Sequence, residues 1–322
     1  MRGCLVLSLV AIACDPPPRH RYFPPQPVEQ RVDPVEAPPP RPDPTTAGVS
    51  VDRISDFVFD GGEIEFELRQ DGSHVYQIAR SHYVVPLMMQ WQLNELSNLE
   101  PTTAVEGVAF LPAADKPGHV GPAVVLAELS ILDHRSRYHR SIAFHARFGD
   151  PRAQPTPYQY GLPYGRGRVF AVLQGFHGAF SHRGSNEYAV DFDCPVATPV
   201  IATRPGVVVA VNASAQGSGT TSEFLEYKRV NFVLVRHDDG TLGEYMHLSP
   251  SGVEVKPGQV VKRGQELALS GNTGFSSTPH LHFQVMTAAD DGVAARSFPF
   301  RIAVAPNRVE EPVQGRSYTA WE

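Results

Sequence analysis

Residues Ser277–Val285 read STPHLHFQV, and how this stretch folds decides how the rest of the chain is read. In an extended strand alternate residues share a face. Leu281, Phe283 and Val285 then line one side, and His280, His282 and Gln284 line the other. The first row is a core-facing stripe. Two imidazoles two residues apart on the second side suit a metal, or a metal ligand beside a catalytic neighbour. Two polar positions on the wet face of a half-exposed strand would look the same, so the surrounding sequence has to decide.

Outward from this strand the texture stays β. VFAVLQGF (169–176), EYAVDF (187–192), PVIATRPGVVVAV (199–211), VNFVLVRHDDGTLGEYMHL (230–248) and QELALSG (265–271) are short apolar or alternating runs without a sustained helical period. Asp239-Gly240 supplies a hairpin turn. These runs define a β-domain over residues 169–305, followed by a C-terminal tail, 306–322. Upstream, residues 48–150 hold a second set. IEFELRQDGSHVYQIAR reads as two strands about an Asp71-Gly72 turn, with VVPLMMQWQL, VVLAELSIL and SIAFHARFGD continuing the series. Strands at this spacing predict an immunoglobulin-like β-sandwich. Its histidines, His74, His82, His134, His139 and His145, are scattered and read as surface or strand-face positions. PRAQPTPYQYGLPYGRGR, 151–168, is a Pro/Gly-rich connector between the two domains.

At 322 residues with 42% hydrophobic content the chain can bury a core in each of two domains. A net charge of −6 excludes a nucleic-acid binder of the basic-patch kind. Residues 1–14 read as a signal peptide. Arg2 precedes the apolar run Leu5–Ala13, too short to span a bilayer, and Ala11-Ile12-Ala13-Cys14 resembles a bacterial lipobox with Ala11 in place of the usual Leu. Cys14 is then the lipid-modified first residue of an envelope lipoprotein on the periplasmic face of the inner or outer membrane; plain secretion is the alternative. Residues 15–47 are a proline-dominated linker, too poor in aliphatic residues to fold and suited to a semi-extended tether. With Cys4 lost in the signal and Cys14 lipidated, Cys194 is left alone, so no disulfide forms; beside Pro195 it reads as a small packing residue.

A hydrolytic zinc site needs three protein ligands and an open fourth position, with a base nearby. SHRGSNEYAVDFDC (181–194), GEYMHL (243–248) and PHLHF (279–283) supply the histidines and carboxylates. Taken together, these segments and the blocks VKPGQVVKRGQ and SGNTG resemble the M23 (LytM/lysostaphin-type) zinc metallopeptidases from about Leu173 to Met286. SNLEP and ARFGDP add a looser likeness in the N-terminal sandwich. The resemblance implies an antiparallel β-sheet peptidase domain related to lipoyl- and biotinyl-like hybrid barrels. The whole chain is then all-β, a sandwich followed by the peptidase.

The resemblance also implies roles. One Zn2+ per chain would be held by His182, Asp191 and His282. His280 would act as general base, and His247 would orient the attacking water or stabilise the oxyanion. Eight residues separate His182 from Asp191, more than the compact His-x-x-x-Asp of the best-known members, and His177 is a rival first ligand. Asp193 reads as a hydrogen-bonding neighbour and His237 as part of a hairpin turn. The implied function is a peptidoglycan endopeptidase, cutting D-alanyl-diaminopimelate cross-links in a Gram-negative envelope. A LytM-type regulatory module that activates a partner wall hydrolase is the alternative. A lipoyl-type carrier is excluded, since no lysine sits in an MKM-like turn. The sandwich would position the peptidase, dock on the wall or shield the groove.

Overall fold

The structure, a computed structural model, describes residues 49–54 and 64–322, the side chains of the first stretch excepted. The expected signal peptide, the lipobox with Cys14 and the linker 15–47 lie outside the described residues. Within them, the regular elements are strands and three short 3-10 turns, so the all-β expectation holds.

The N-terminal part is a two-sheet sandwich. One sheet orders Val49–Ile54, Ile64–Asp71, His74–Ser81, Val124–Ile131 and Leu99–Pro101; the other orders Glu106–Leu111, Leu87–Ser97 and His139–Phe148. Ile64, Phe66, Val75 and Leu129 from the first sheet meet Leu87, Met89, Ala146 and Phe148 from the second in one core. The first hairpin pairs Asp71 with His74, so its loop is Gly72-Ser73 and the turn sits one residue later than Asp71-Gly72. Gly72 takes the first loop position at φ 60°, a conformation glycine adopts without a Cβ penalty.

The C-terminal part is built on a nine-stranded sheet. Along it run Val260–Val261, Gly206–Asn212, Phe232–Arg236, Leu242–Met246, Leu281–Ala288, Val190–Phe192, Val169–Gln174 and Ser317–Thr319, with Ala295–Phe298 also paired to Leu281–Ala288. A small sheet of Pro199–Ile201, Glu266–Ser270 and Leu248–Val253 lies beside it. The strand Leu281–Ala288 alternates as its sequence requires. Leu281, Phe283 and Val285 enter a core with Val172, Phe192, Val233 and Tyr245. Its other face is not wet: Met286 joins the sandwich core together with Phe232, Leu234 and Leu242. The two parts therefore share one apolar cluster across the face of the sheet that carries the histidines.

Two segments expected to be peripheral are structural. The connector 151–168 contributes Gln159–Tyr160, parallel to Arg301–Ile302, and buries Tyr160, Leu162 and Tyr164 in the second core. In 306–322, Ser317–Thr319 pairs with Val169–Ala171, and the Tyr318 carbonyl accepts a hydrogen bond of 2.9 Å from the Tyr164 hydroxyl. Below Tyr160, Arg204 is 2% exposed and paired to Asp239 at 2.7 Å and to Asp238, which ties the connector to the 237–241 hairpin. Cys194 is fully buried, as a packing residue is expected to be, and burial pushes its thiol pKa up.

Candidate metal centre

Strand pairing brings the first groups together. Val190–Phe192 lies antiparallel to Leu281–Ala288 with Asp191 opposite His282, and on the other flank Met246 pairs with His282. His247 follows Met246 directly, and His280 sits just before the strand. His182 comes from the loop after Val169–Gln174.

His182, Asp191 and His282 are all buried and each offers a ligand atom within 4.8 Å of the others. Asp191 is the hub. Its Oδ1 lies 2.9 Å from His282 Nδ1 and its Oδ2 lies 3.1 Å from His182 Nε2. A tetrahedral zinc with ~2.0 Å bonds separates neighbouring ligand atoms by ~3.3 Å, close to both spacings. The His182 ring supplies a second indication of fit. Its Nδ1 lies 2.8 Å from the Gly175 carbonyl, which can only accept, so the proton is on Nδ1. Nε2 then turns a lone pair toward a carboxylate oxygen, fully buried and without a hydrogen-bond partner. Two acceptors face each other where a cation would satisfy both.

Burial opposes charge on Asp191, but the imidazoles of His182 and His282 beside it outweigh that and hold its pKa well below the usual carboxylate range. Burial likewise disfavours a charged His282, and the hydrogen bond and charge of Asp191 raise its pKa above the ordinary imidazole value.

Two further imidazoles face this cluster. The His280 ring lies 4.4 Å from that of His247, and His280 Nε2 is 3.7 Å from Asp191 Oδ1. Each has its Nδ1 on a backbone carbonyl, His280 on Thr278 at 2.8 Å and His247 on Thr273 at 2.7 Å. Both therefore turn a bare Nε2 lone pair away from that anchor. Burial first, then the charges of His280 and His282, push the His247 pKa down to about 3. His247 reaches the cluster by a left-handed kink, φ 63°, uncommon for a residue with a side chain and typical of functional sites. Thr273 and Asn231 lock the kink. Thr273 Oγ1 donates to the Leu248 carbonyl at 2.9 Å, and Asn231 Nδ2 donates to the same carbonyl at 3.3 Å.

The remaining expected residues lie elsewhere. His177 is exposed and paired with Glu187 at 3.2 Å, outside the cluster. Asp193 is exposed, and His237 is buried in its hairpin against the Tyr160 ring. Sequence reading missed the residues that hold these groups: Thr273 in SGNTG, which anchors His247, Thr278 before the HLH strand, which anchors His280, and Gln174, which anchors Asp191. The last is a lone amide ending an apolar strand, the one signal that could have drawn attention to it.

Residues 185–294 match the model of peptidase family M23, a span that includes Asp191, His247, His280 and His282 and begins three residues after His182. A glycyl-glycine endopeptidase, ALE-1, of Staphylococcus capitis is 39% identical over 118 residues, 36% of this chain and 29% of that protein. The peptidoglycan DD-endopeptidase ShyA of Vibrio cholerae is 36% identical over 96 residues, 30% of this chain and 19% of the relative. Among solved structures, the catalytic domain of lysostaphin from Staphylococcus simulans is 34% identical, covering 44% of this chain and 85% of that one with a TM-score of 0.28. The chain spans less than a third of the length of the curated relatives it matches.

Proposed function

The chain belongs to peptidase family M23, and on that premise we propose that it is a zinc-dependent endopeptidase hydrolysing peptide cross-links of peptidoglycan in the cell envelope. The observation that carries this reading is the convergence of His182, Asp191 and His282 with two further imidazoles whose tautomers are already set. Zinc held by these three groups would supply a Lewis acid that acidifies water and polarises the scissile carbonyl.

The chain's own groups divide the remaining work. Hydrolysis adds the oxygen of water to the carbonyl carbon and breaks the C–N bond, so one proton must travel from water to the departing nitrogen. His280, with Nδ1 held by Thr278, takes that proton on Nε2 and returns it to the amine. His247 accepts the second O–H of the attacking water on Nε2 and fixes the line of attack. With Nδ1–H on the Thr273 carbonyl and its pKa pushed down, His247 presents an acceptor there, which supports water orientation over oxyanion stabilisation.

The substrate follows from the relatives, whose names include peptidoglycan DD-endopeptidases and a glycyl-glycine endopeptidase. With the lipobox at Cys14 and the tether 15–47, we favour a Gram-negative envelope lipoprotein that cuts D-alanyl-diaminopimelate cross-links. The test is digestion of cross-linked sacculi by the purified Cys14→Ser chain, read by mass spectrometry of the muropeptides with and without a chelator. Chelator-sensitive loss of dimers identifies the bond. Unchanged sacculi with zinc bound would overturn the endopeptidase reading in favour of activation of a partner hydrolase.

A further inference from the structure

We propose that Gln174 is a positioning residue for the metal centre: its single carboxamide fixes the Asp191 carboxylate and the loop that delivers His182, so one side chain sets two of the three ligands. This rests on the reading that these residues hold zinc. Gln174 ends the strand Val169–Gln174 and is buried. The pairing of this strand with Val190–Phe192 is irregular between Val172 and Gln174, and Gln174 lies opposite Asp191. An extra residue in one strand re-aims the side chains beside it. Here it turns an amide out of an apolar strand and onto the ligand.

A primary amide offers two N–H donors and one oxygen with two lone pairs. All four are used. Nε2 donates to Asp191 Oδ2 at 3.1 Å and to Ser181 Oγ at 2.8 Å. Oε1 accepts the backbone N–H of Phe180 at 2.9 Å and of Ser181 at 3.1 Å. These partners fix the amide's orientation without reference to a metal. Backbone N–H groups can only donate, so the oxygen must face Phe180 and Ser181, and the NH2 must face the carboxylate. The flipped amide would set oxygen against oxygen at Asp191 and N–H against N–H at the loop.

The loop closes on Gln174 from both ends. Gly175, next in sequence, places its carbonyl on His182 Nδ1 and so sets which nitrogen of that ring is free. At Gly178 a Cβ would collide with the Gln174 side chain, so the loop can wrap the amide only because residue 178 has none. Gln174 Nε2 and His182 Nε2 share Asp191 Oδ2. A glutamine that swings away therefore frees the carboxylate to rotate and releases the loop that aims His182.

Outer partners of metal ligands are worth about 10–100-fold in metal affinity. The test is zinc affinity of the Cys14→Ser chain by competition with a chromogenic chelator, alongside thermal melting of the metal-free protein. Gln174→Met fills the same volume without hydrogen bonds; it should weaken zinc binding by about 10–100-fold. Ser181→Ala removes one partner of Nε2 and leaves the contact to Asp191, and should leave zinc affinity within about twofold. Should Gln174→Met fail to fold, Gln174→Asn carries the same expectation, since it is one methylene too short to span Asp191 and the loop. Zinc affinity unchanged in the Gln174 variant, or an equal loss in Ser181→Ala, would overturn the proposal and leave Gln174 as a loop brace. A parent chain that binds zinc but leaves sacculi intact would defeat the wall-endopeptidase reading while the affinity ratios still decide the role of Gln174. A parent that binds no zinc overturns both.

Discussion

Replacing His280 by alanine separates proton transfer from metal binding. In the parent chain His280 Nδ1 is committed to the Thr278 carbonyl, so Nε2 is the free base, 3.7 Å from Asp191 Oδ1. The neighbouring lone pair belongs to His247, whose ring is 4.4 Å away and whose depressed pKa of about 3 makes it a poor proton acceptor. A positioned general base contributes about 10²–10⁴-fold, or about 2.7–5.4 kcal/mol of activation free energy. We therefore expect kcat to fall by that factor with KM little changed. Zinc content should stay near one per chain, because His182, Asp191 and His282 keep all their contacts to one another. Turnover is read from muropeptide release at saturating sacculi and zinc from atomic emission of the same sample, with His282→Ala as the control that loses both. A His280→Ala rate within tenfold of the parent at full zinc occupancy would refute the assignment of the base. Loss of zinc from that variant would make His280 a ligand instead.

Two further outcomes follow from the titrating groups. Because Asp191 raises the His282 pKa above its ordinary value, zinc binding should displace a proton, and apparent affinity should weaken by up to about tenfold per pH unit as pH falls below that pKa; calorimetry in buffers of different ionisation enthalpy measures the release, and none would contradict the structure. Burial, with the charge of Arg204, lowers the His237 pKa to about 3, and burial first lowers His247 to about 3, against about 6.5 in the unfolded chain. Folded values below unfolded ones mean that the unfolded chain binds the extra protons, so this stability is complete above about pH 6.5 and is lost as pH falls toward 3, by about 2.7 kcal/mol per pH unit for the two groups together. His282, whose pKa is raised, has the opposite sign: it adds stability as pH falls toward the unfolded value of about 6.5 and no further slope well below it. Urea midpoints of the metal-free chain at pH 7, 6 and 5 test this, and a flat series would sink it.

The sheet and part of the centre were readable because a period of two is a strong constraint. Alternation put Leu281 and Phe283 on one face and His280 and His282 on the other, and the strand keeps that division. His182 could not be separated from His177 by periodicity, since both lie in a loop whose path is fixed by Gln174 and by the turn at Gly178. The apolar alternation of Tyr160, Leu162 and Tyr164 was hidden by the intervening Gly161 and Pro163, which read as a connector although these side chains are core. Ser317–Thr319 was too short to register, and its place in the sheet depends on pairing with residues about 150 positions earlier. The contact between the two parts was illegible for another reason. Leu242 and Met286 look like ordinary strand residues, and nothing local says that their partners come from another domain.

That common cluster has a consequence for how the chain can be cut and controlled. Phe232, Leu234, Leu242 and Met286 each gain roughly 1.5–3 kcal/mol from leaving water, and together this approaches the 5–15 kcal/mol that holds a typical domain folded. Gly149 binds the junction more closely still. At φ 121° it lies so near Thr287 and Ala288 that a Cβ would clash with both, and its N–H donates to the Pro86 carbonyl at 2.8 Å. Sandwich and peptidase should melt in a single cooperative transition, and a fragment beginning at residue 160 should aggregate or unfold before it can be assayed. Proteolytic nicking of the connector would leave the pieces clasped through the shared cluster. Release of the N-terminal half from the peptidase part would therefore require unfolding of the shared cluster rather than a simple parting of two bodies.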